Sequence, residues 1–237
     1  MPKTPKKFKP SPRKFHPKGL PIVYEDHDII VVNKAPGVLT MGYDKVKEST
    51  AYFLLNRYVK KGNHKSRNRV LMVHRLDRDT TGLLVFAKSE AAKKYLMDEW
   101  KTFTKTYYAV VYGAPPDKEG LMQSYLAEGE NYTMVSVDDP SKGKLAKTGY
   151  KVVAQNRKYS LLEINLHTGK KNQIRVHMAD AGCPVVGDQK YGARREKGPA
   201  RLALHAASLA IRHPYTHQKM TFEANIPMLF ESLMNRS

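Results

Sequence analysis

The stretch VLMVHRLDRDTTGLLVFAK, residues 70–88, places a group of charges between two apolar runs. Short apolar runs rich in valine, leucine and phenylalanine are typical of buried strands. Charge beside such runs is costly to bury unless it is paired. The pattern therefore predicts a strand, a loop and a second strand, and the loop carries His74, Arg75, Asp77, Arg78 and Asp79.

The residues alone leave three interpretations of this charged loop. His-Arg-x-Asp is similar to the catalytic loop of protein kinases, but the chain contains neither G-x-G-x-x-G nor D-F-G, so we reject that interpretation. A metal site is disfavoured because no H-E-x-x-H or H-x-x-E-H spacing occurs. The third interpretation is an ion pair such as Arg75–Asp79 that braces the two strands, which is the more common role of paired charges.

Outward from this stretch, the hydrophobic pattern predicts more strands than helices. Further strands are expected near residue 22, over 29–33, over 105–113, in a hairpin over 149–166, and around 202–211 and 219–225. Helices are expected over 50–59, from an N-cap at Ser89 to about Lys101, and within 171–182 with Gly182 as the stop. Strands and helices do not alternate strictly. The chain is therefore predicted to be α+β, with a mixed, mostly antiparallel central sheet and flanking helices.

The composition indicates a polyanionic partner. The 237 residues include 41 lysines and arginines against 22 acidic residues, a formal net charge of +19. Nucleic acid is the simplest partner for such a chain, although the charge could also serve only solubility. No long basic amphipathic helix and no apolar run near the roughly 18 residues of a membrane span is visible. With one cysteine and no apolar signal segment, we expect a cytoplasmic protein without disulfides or a membrane partner.

Two segments are rich in lysine and arginine and contain no aspartate or glutamate. Residues 1–20 contain seven lysines and arginines and five prolines, and we predict a disordered basic tail followed by one domain over 21–237. The tail is either a solubilising arm or a non-specific RNA arm. Residues 60–69 contain five basic residues and are expected to form a loop that is either solvated or in contact with RNA.

Five segments together carry a family resemblance. HRLDRDTTGLLVFAK resembles the signature of the RluA-type pseudouridine synthases, HRLD-x-x-T-S-G-L-L-L-F-A-K. Four more segments resemble other motifs of that family, in the family's order: YEDHDIIVVNKAPG, KTYYAVVYG, LLEINLHTGKKNQIRVHMADAGCPVVGDQKYG and LALHAASLAIRHP. The resemblance covers about residues 22–225 and implies the pseudouridine synthase fold in a stand-alone catalytic domain, without an S4 module and monomeric.

The resemblance implies an isomerase that acts on uridine in rRNA or tRNA and needs no cofactor, nucleotide or metal. The family breaks the C1′–N1 bond, turns the uracil and joins C1′ to C5. By resemblance, Asp77 is the catalytic aspartate. Apolar neighbours disfavour its charged form, and Arg175 is expected to offset them. Tyr107 is expected to stack on the uracil and to help remove the C5 proton, on the strand face opposite Tyr108 and Tyr112.

The same resemblance implies RNA contacts. A stacked uridine must be flipped out of its helix, and Arg75 matches the arginine thought to fill the gap. The other residues expected to bind RNA or substrate are Lys105, Lys170, Gln173 and His177. The chain departs from the family's motif at Lys170, which replaces an arginine, and at Asn172, which replaces the usual histidine. The alternative function is a catalytically inactive RNA-binding or ribosome-assembly protein on the same fold.

Overall fold

The computed structural model describes residues 12–42, 48–192 and 201–235. Within them one sheet contains eleven strands, and four α-helices pack on it. The strands are β1 (Ile22–Glu25), β2 (Ile29–Lys34), β3 (Leu71–Met72), β4 (Thr81–Ala87), β5 (Thr104–Tyr112), β6 (Glu119–Glu128), β7 (Met134–Val137), β8 (Lys144–Gln155), β9 (Tyr159–Leu166), β10 (Leu204–Arg212) and β11 (Lys219–Glu223). The helices are α1 (Ala51–Lys60), α2 (Glu90–Asp98), α3 (Gln173–Asp180) and α4 (Met228–Met234).

The sheet is mixed, and the predicted α+β class is confirmed. Its main path runs β1-β2-β4-β10-β5-β9-β8-β6-β7, with β11 on β10 and β3 on β4. Among the described strands, β4 and β10 pair in parallel and the other pairs are antiparallel. Gly82 lies at the parallel junction with φ +109°, and a Cβ there would sit 2.2 Å from the Ala206 carbonyl oxygen. Glycine is therefore required at position 82 because β4 and β10 approach closely there.

Both faces of the sheet are covered at β2 and β4, which explains why these two strands are continuous apolar runs. In β2, Ile30 and Val32 pack in the cluster that contains residues of α1 and α3. Ile29 and Val31 pack in a second cluster with α2 on the opposite face. Helix α4 closes a third cluster against β5 and β9 through Phe230 and Leu233.

The helix termini follow local hydrogen bonding. The Ser89 hydroxyl accepts from the Ala92 amide at 3.1 Å, so the predicted N-cap of α2 is confirmed. The helix ends at Asp98, before the predicted Lys101, because the amide and hydroxyl of Thr102 both bind the Glu99 carbonyl. Gly182 has φ +74° just after α3, where the sequence places the stop. None of the helices within the described ranges has the length and apolarity needed to cross a membrane.

The described structure differs from the sequence-based predictions in two respects, the residues before Pro21 and the number of strands and helices. Residues 16–20 belong to the folded unit, because Leu20 is fully buried and the Gly19 carbonyl accepts from the Ala35 amide at 2.8 Å. The packed part of the chain therefore includes residues before Pro21, while residues 1–11 of the predicted tail lie outside the described part. Strands β6 and β7 and helix α4 are absent from the prediction, since β6 is mostly exposed and lacks a clear apolar alternation.

Candidate active site

The charged loop between β3 and β4 is fixed on both sides of Asp77. The Thr40 hydroxyl donates to the Leu76 carbonyl at 2.8 Å and accepts from the Leu76 amide at 3.1 Å. One residue past Asp77, the Arg78 carbonyl accepts from the Lys34 ammonium at 2.8 Å and from the Gly37 amide at 3.0 Å. The backbone that carries Asp77 is therefore held by the segment that follows β2.

Lys34 is a buried cation whose hydrogen bonds to the described residues all go to backbone carbonyls. Its side chain is completely buried, and its ammonium donates to the carbonyls of Ala35, Val38 and Arg78 at 2.8–3.0 Å. Desolvation lowers the pKa of Lys34 to about 8, against the opposing effect of the nearby Asp79 and Asp77. Three N–H groups matched to three carbonyls tie the turn after β2 to the charged loop.

One oxygen of Asp77 carries two hydrogen bonds. Its Oδ2 accepts from Arg175 Nη1 at 3.1 Å and from Asn172 Nδ2 at 2.6 Å. Within the described part of the chain no hydrogen bond reaches its Oδ1. The side chain is 22% exposed, so the carboxylate is oriented through one oxygen while the other is available to a ligand.

Arg175 is itself anchored by a buried carboxylate that sequence reasoning did not place in the site. Its Nε and Nη2 donate to the two oxygens of Asp188 at 2.7 and 2.8 Å, and the Asp188 side chain is fully buried. The Asp188 carboxylate also accepts from the amides of Lys190 and Tyr191. Burial opposes ionisation of Asp188, but the Arg175 guanidinium and these amides lower its pKa overall. The bidentate pair fixes the direction in which Arg175 reaches Asp77.

Asn172 is held in place by Tyr191. The Tyr191 hydroxyl donates to Asn172 Oδ1 at 3.1 Å and accepts from the Met134 amide at 2.9 Å. The amide orientation of Asn172 follows, with its nitrogen toward Asp77. The backbone of Asn172 is left-handed, with φ 53° and ψ 17°, a conformation that asparagine tolerates better than most residues. The Arg175 guanidinium lies 5.0 Å from the centre of the Tyr191 ring, so Tyr191 supports both donors to Asp77.

Two cavities meet at Asp77. The larger, of about 620 Å³, and the smaller, of about 290 Å³, share the side chains of Arg75, Asp77, Asn172 and Arg175 in their walls. Tyr107 lines the smaller cavity and is 9% exposed. Burial, with a further contribution from the Asp77 carboxylate, raises the pKa of Tyr107. Its phenol is therefore protonated near neutral pH, which suits a stacking and hydrogen-bonding role better than that of a phenolate base.

The predicted RNA-contact residues fall into two groups. Arg75 is exposed and lines both cavities. The alternative Arg75–Asp79 pair is wrong, because Asp79 pairs with Arg78 at 3.0 Å. Lys105 and Lys170 line the smaller cavity. The Lys105 ammonium donates to the Trp100 carbonyl at 2.8 Å, and burial lowers the pKa of Lys105.

Gln173 and His177 take structural positions instead. Gln173 is 2% exposed, and its amide bonds Thr148, Thr168 and two backbone groups. His177 is 3% exposed, and its ring bonds the hydroxyls of Ser124 and Thr148. Because both polar groups are used inside the protein, we do not propose either residue as an RNA contact.

The three tyrosines of β5 lie on opposite faces of the strand, as the alternation predicts. Tyr107 packs in one hydrophobic cluster, and Tyr108 and Tyr112 pack in another.

One further group of side chains has the residue types of a metal site, namely Asp26, Asp28 and His213. His213 Nδ1 accepts from the amides of Tyr215 and Thr216, so the ring proton lies on Nε2, which bonds Asp26 at 2.8 Å. A ring nitrogen that carries a proton cannot ligate a metal. The group therefore functions as a hydrogen-bonded brace at the ends of β1 and β10.

Comparison with known proteins identifies the class to which this fold and site belong. A family model described as RNA pseudouridylate synthase matches residues 28–180. The uncharacterized RNA pseudouridine synthase YlyB of Bacillus subtilis is 35% identical over 89% of this chain and 70% of its own length. Ribosomal large subunit pseudouridine synthase D of Pasteurella multocida is 34% identical over 93% of this chain and 72% of its own length.

A solved structure shares the fold. Human RNA pseudouridylate synthase domain containing 4 superposes with a TM-score of 0.74 at 23% identity, over 89% of this chain and 90% of that chain. The family model and the curated relatives show that the protein is an isomerase of the RNA pseudouridine synthase class. The chain belongs to the RNA pseudouridylate synthase family, in its RluA branch.

Proposed function

We propose that this protein converts specific uridines of rRNA or tRNA to pseudouridine, with Asp77 as the essential catalytic residue. The observation that carries the proposal is the state of the Asp77 carboxylate. One oxygen is held by Arg175 and Asn172, the other accepts no bond from the described residues, and the group lies where two cavities meet. A carboxylate oriented in this way is prepared to act on a bound nucleoside.

The reaction is an isomerisation in which atoms balance within the substrate. The C1′–N1 bond breaks, a C1′–C5 bond forms, C5 loses a proton and N1 gains one. Asp77 Oδ1 is the atom we assign to contact with the reacting nucleoside. The Arg175 guanidinium orients the Asp77 carboxylate, and Asp188 holds the guanidinium in place.

The smaller cavity is our proposed site for the uracil. The Tyr107 ring lies in its wall beside Asp77, and aromatic rings stack on unpaired bases. The target uridine must leave its helix, which costs a few kcal/mol. Arg75 is exposed at the junction of the two cavities and has no ion-pair partner among the described residues. We assign it to the space that the flipped base leaves.

Basic charge and the relatives' names guide the choice of RNA. A formal net charge of +19 fits a large polyanion. The Pasteurella multocida relative is named for the ribosomal large subunit, as is synthase C of Rickettsia felis, which is 34% identical to this chain. Large-subunit rRNA is therefore the first substrate to test, and tRNA is the second.

The test uses transcripts of large-subunit rRNA and tRNA that carry uridine tritiated at C5. The wild-type protein should release tritium as C5 loses its hydrogen. Asp77→Asn should abolish release while RNA binding, measured by filter retention, persists. Asp79→Asn is the matched control, since the same substitution two residues away alters an exposed pair.

Two outcomes would count against the proposal. Turnover by Asp77→Asn at the wild-type rate would remove Asp77 from the chemistry. Tight RNA binding by the wild type without pseudouridine in any cellular RNA would favour the inactive RNA-binding alternative. Mapping pseudouridines in cells with and without the gene would then identify the RNA and the uridine.

A further inference from the structure

The turn between β6 and β7 presents an aromatic ring to solvent close to the site. Tyr132 is 77% exposed. Its carbonyl accepts from the Lys190 ammonium at 2.9 Å, and the Lys171 ammonium lies 5.7 Å from the centre of its ring. Lys171 and Lys190 both line the larger cavity that contains Asp77. Tyr132 therefore contacts two cations of the larger cavity, Lys171 through its ring and Lys190 through its carbonyl oxygen.

The backbone under this ring is strained. Asn131 and Tyr132 have φ of 52° and 55°, two successive residues in the left-handed region. Asparagine tolerates this region, but a tyrosine there is an outlier, and glycine would fit without strain. The turn is nevertheless closed by bonds from the Gly129 amide to the Thr133 carbonyl and from the Thr133 amide to the Glu130 carbonyl. Packing of the exposed ring does not compensate for the strain, so folding alone gives no reason for tyrosine here.

The turn is also connected to the carboxylate. Two residues after Tyr132, the Met134 amide donates to the Tyr191 hydroxyl, which donates to Asn172, whose side-chain amide donates to Asp77. The turn that carries Tyr132 is therefore linked to Asp77 by a chain of hydrogen bonds. A ligand that fills the larger cavity and extends past Lys171 would meet the Tyr132 ring.

The chemistry of the patch fits a nucleotide. An exposed aromatic ring between lysines offers a face for a base and charge for its phosphate. Lys171 is partly neutralised by its pair with Glu128. Lys190 forms no ion pair with any carboxylate among the described residues, which leaves it available for phosphate.

Building on the proposed function, we propose that Tyr132, Lys171 and Lys190 form a subsite for an unpaired nucleotide that flanks the target uridine. The base of that nucleotide stacks on the Tyr132 ring, and Lys190 binds its phosphate. The subsite selects targets in loops, where a neighbouring base is free to stack. A protein partner on the same ring is the competing occupant, and the test separates the two.

Binding is measured with full-length Asp77→Asn protein and a fluorescent single-stranded RNA of 12 nucleotides, by anisotropy over a range of salt. In that background Tyr132→Leu should weaken binding about tenfold, the effect of losing one base–aromatic stack. Tyr132→Trp should bind as tightly as the parent. Lys190→Gln should reduce the log–log salt slope by about 0.7, the value for one phosphate contact on single strands, whereas Tyr132→Leu should leave the slope unchanged.

The matched control is Tyr215→Leu, which removes another tyrosine that is 73% exposed, on the turn between β10 and β11. It should bind RNA like the parent. Tyr132→Gly separates ligand binding from a structural role: it should raise the melting temperature by relieving the left-handed strain, and yet weaken RNA binding.

The outcomes distinguish this inference from the proposed function. If wild-type protein releases no tritium from any RNA, the proposed function fails whatever Tyr132 does. If the wild type is active but Tyr132→Leu binds and turns over RNA as well as it does, the stacking subsite is refuted. The subsite is also refuted if Tyr132→Leu binds RNA unchanged but loses affinity for a co-purifying protein. That outcome would assign the Tyr132 ring to a protein partner.

Discussion

Asp77 and Asp79 lie two residues apart in one loop, and each pairs with an arginine, but the two pairs have different surroundings. Arg175 and Asp77 are 13% and 22% exposed, whereas Arg78 and Asp79 are 61% and 45% exposed. The exposed pair joins neighbours in the chain and is typically worth about 0–1 kcal/mol. The enclosed pair joins Asp77, in the loop before β4, to Arg175 in α3, which lies 98 residues later in the chain. Tertiary structure, and not sequence proximity, therefore creates this pair.

The enclosed pair also differs because its arginine has a second partner. Of the three hydrogen bonds that the Arg175 guanidinium makes with the described residues, two go to Asp188 and one goes to Asp77. Asp188 therefore neutralises and orients Arg175 independently of Asp77. The direction of the enclosed pair is thus set by a third group, Asp188, and not only by the attraction between its own two members.

The largest effect is expected when that third group is removed. Asp188→Asn leaves Arg175 charged and poorly paired in a buried position, and breaking such a pair costs about 3–5 kcal/mol of unfolding free energy. Urea unfolding followed by circular dichroism measures the loss, and tritium release at a temperature where the variant is folded should fall sharply. A variant with wild-type stability and activity would show that Arg175 does not depend on Asp188.

The next largest effect is the loss of stability at acidic pH that comes from His74, a neutral side chain of the same loop. Burial lowers the pKa of His74 to about 3, and its Nε2 accepts from the Val85 amide at 3.1 Å. The unfolded chain, with an ordinary histidine pKa of about 6.5, binds a proton that folded His74 does not. Stability should therefore be full above about pH 6.5 and fall as the pH drops toward 3, by up to about 3 kcal/mol at pH 4.

Denaturation of wild type and His74→Gln at pH 7, 6 and 5 measures this effect. Burial also lowers the pKa of His177 and of His205, so the wild-type slope includes their contributions. The variant should lose stability less steeply than wild type over this range, by the share of one histidine. Parallel slopes would mean that His74 titrates normally in the folded protein.

A smaller effect tests the second donor to Asp77. Asn172→Ala removes the 2.6 Å hydrogen bond, and the loss of one such bond should lower kcat about tenfold with little change in KM. Tyr191→Phe should act in the same direction but less, because it only frees the Asn172 side chain to turn. In the Asn172→Ala background, Tyr191→Phe should have no further effect on kcat.

Restoring the family's histidine sharpens this test. Asn172→His places a group with an ordinary pKa of about 6.5 beside Asp77, so the pH profile of its activity near neutrality should differ from that of the wild type. Identical pH profiles for wild type and Asn172→His, together with full activity of Asn172→Ala, would show that Asn172 does not position Asp77.

Much of the fold follows from local pattern. The strand pair around the charged loop, the N-cap at Ser89 and the stop at Gly182 all depend on residues within a few positions, and the structure contains each of them. Strands β6 and β7 escaped prediction because one of them lies largely exposed near a sheet edge, where burial imposes little alternation. Helix α4 is short and starts after Pro227 without a side-chain cap, so its local signal is weak.

Sequence motifs identified individual residues of the site, but not the contacts that hold those residues in place. The sequence assigns Arg175 to Asp77, and the geometry agrees, but it does not reveal Asp188, Tyr191 or Asn172 as their supports. Those contacts join segments far apart in the chain, and no periodicity encodes them. Gln173 illustrates the converse: it lies in a strong motif beside Asn172, yet its side chain is directed to Thr148 and Thr168 in the interior.

The smallest effect on stability is expected from breaking the exposed Arg78–Asp79 pair. Asp79→Asn removes a contact that Arg78 makes at 3.0–3.2 Å on the surface, where solvent and salt screen it. The unfolding free energy should change by less than about 0.5 kcal/mol, and less still in 0.5 M salt. A loss above about 2 kcal/mol would place Asp79 with Asp188 as a structural anchor. Exposure would then fail to separate the two pairs in stability.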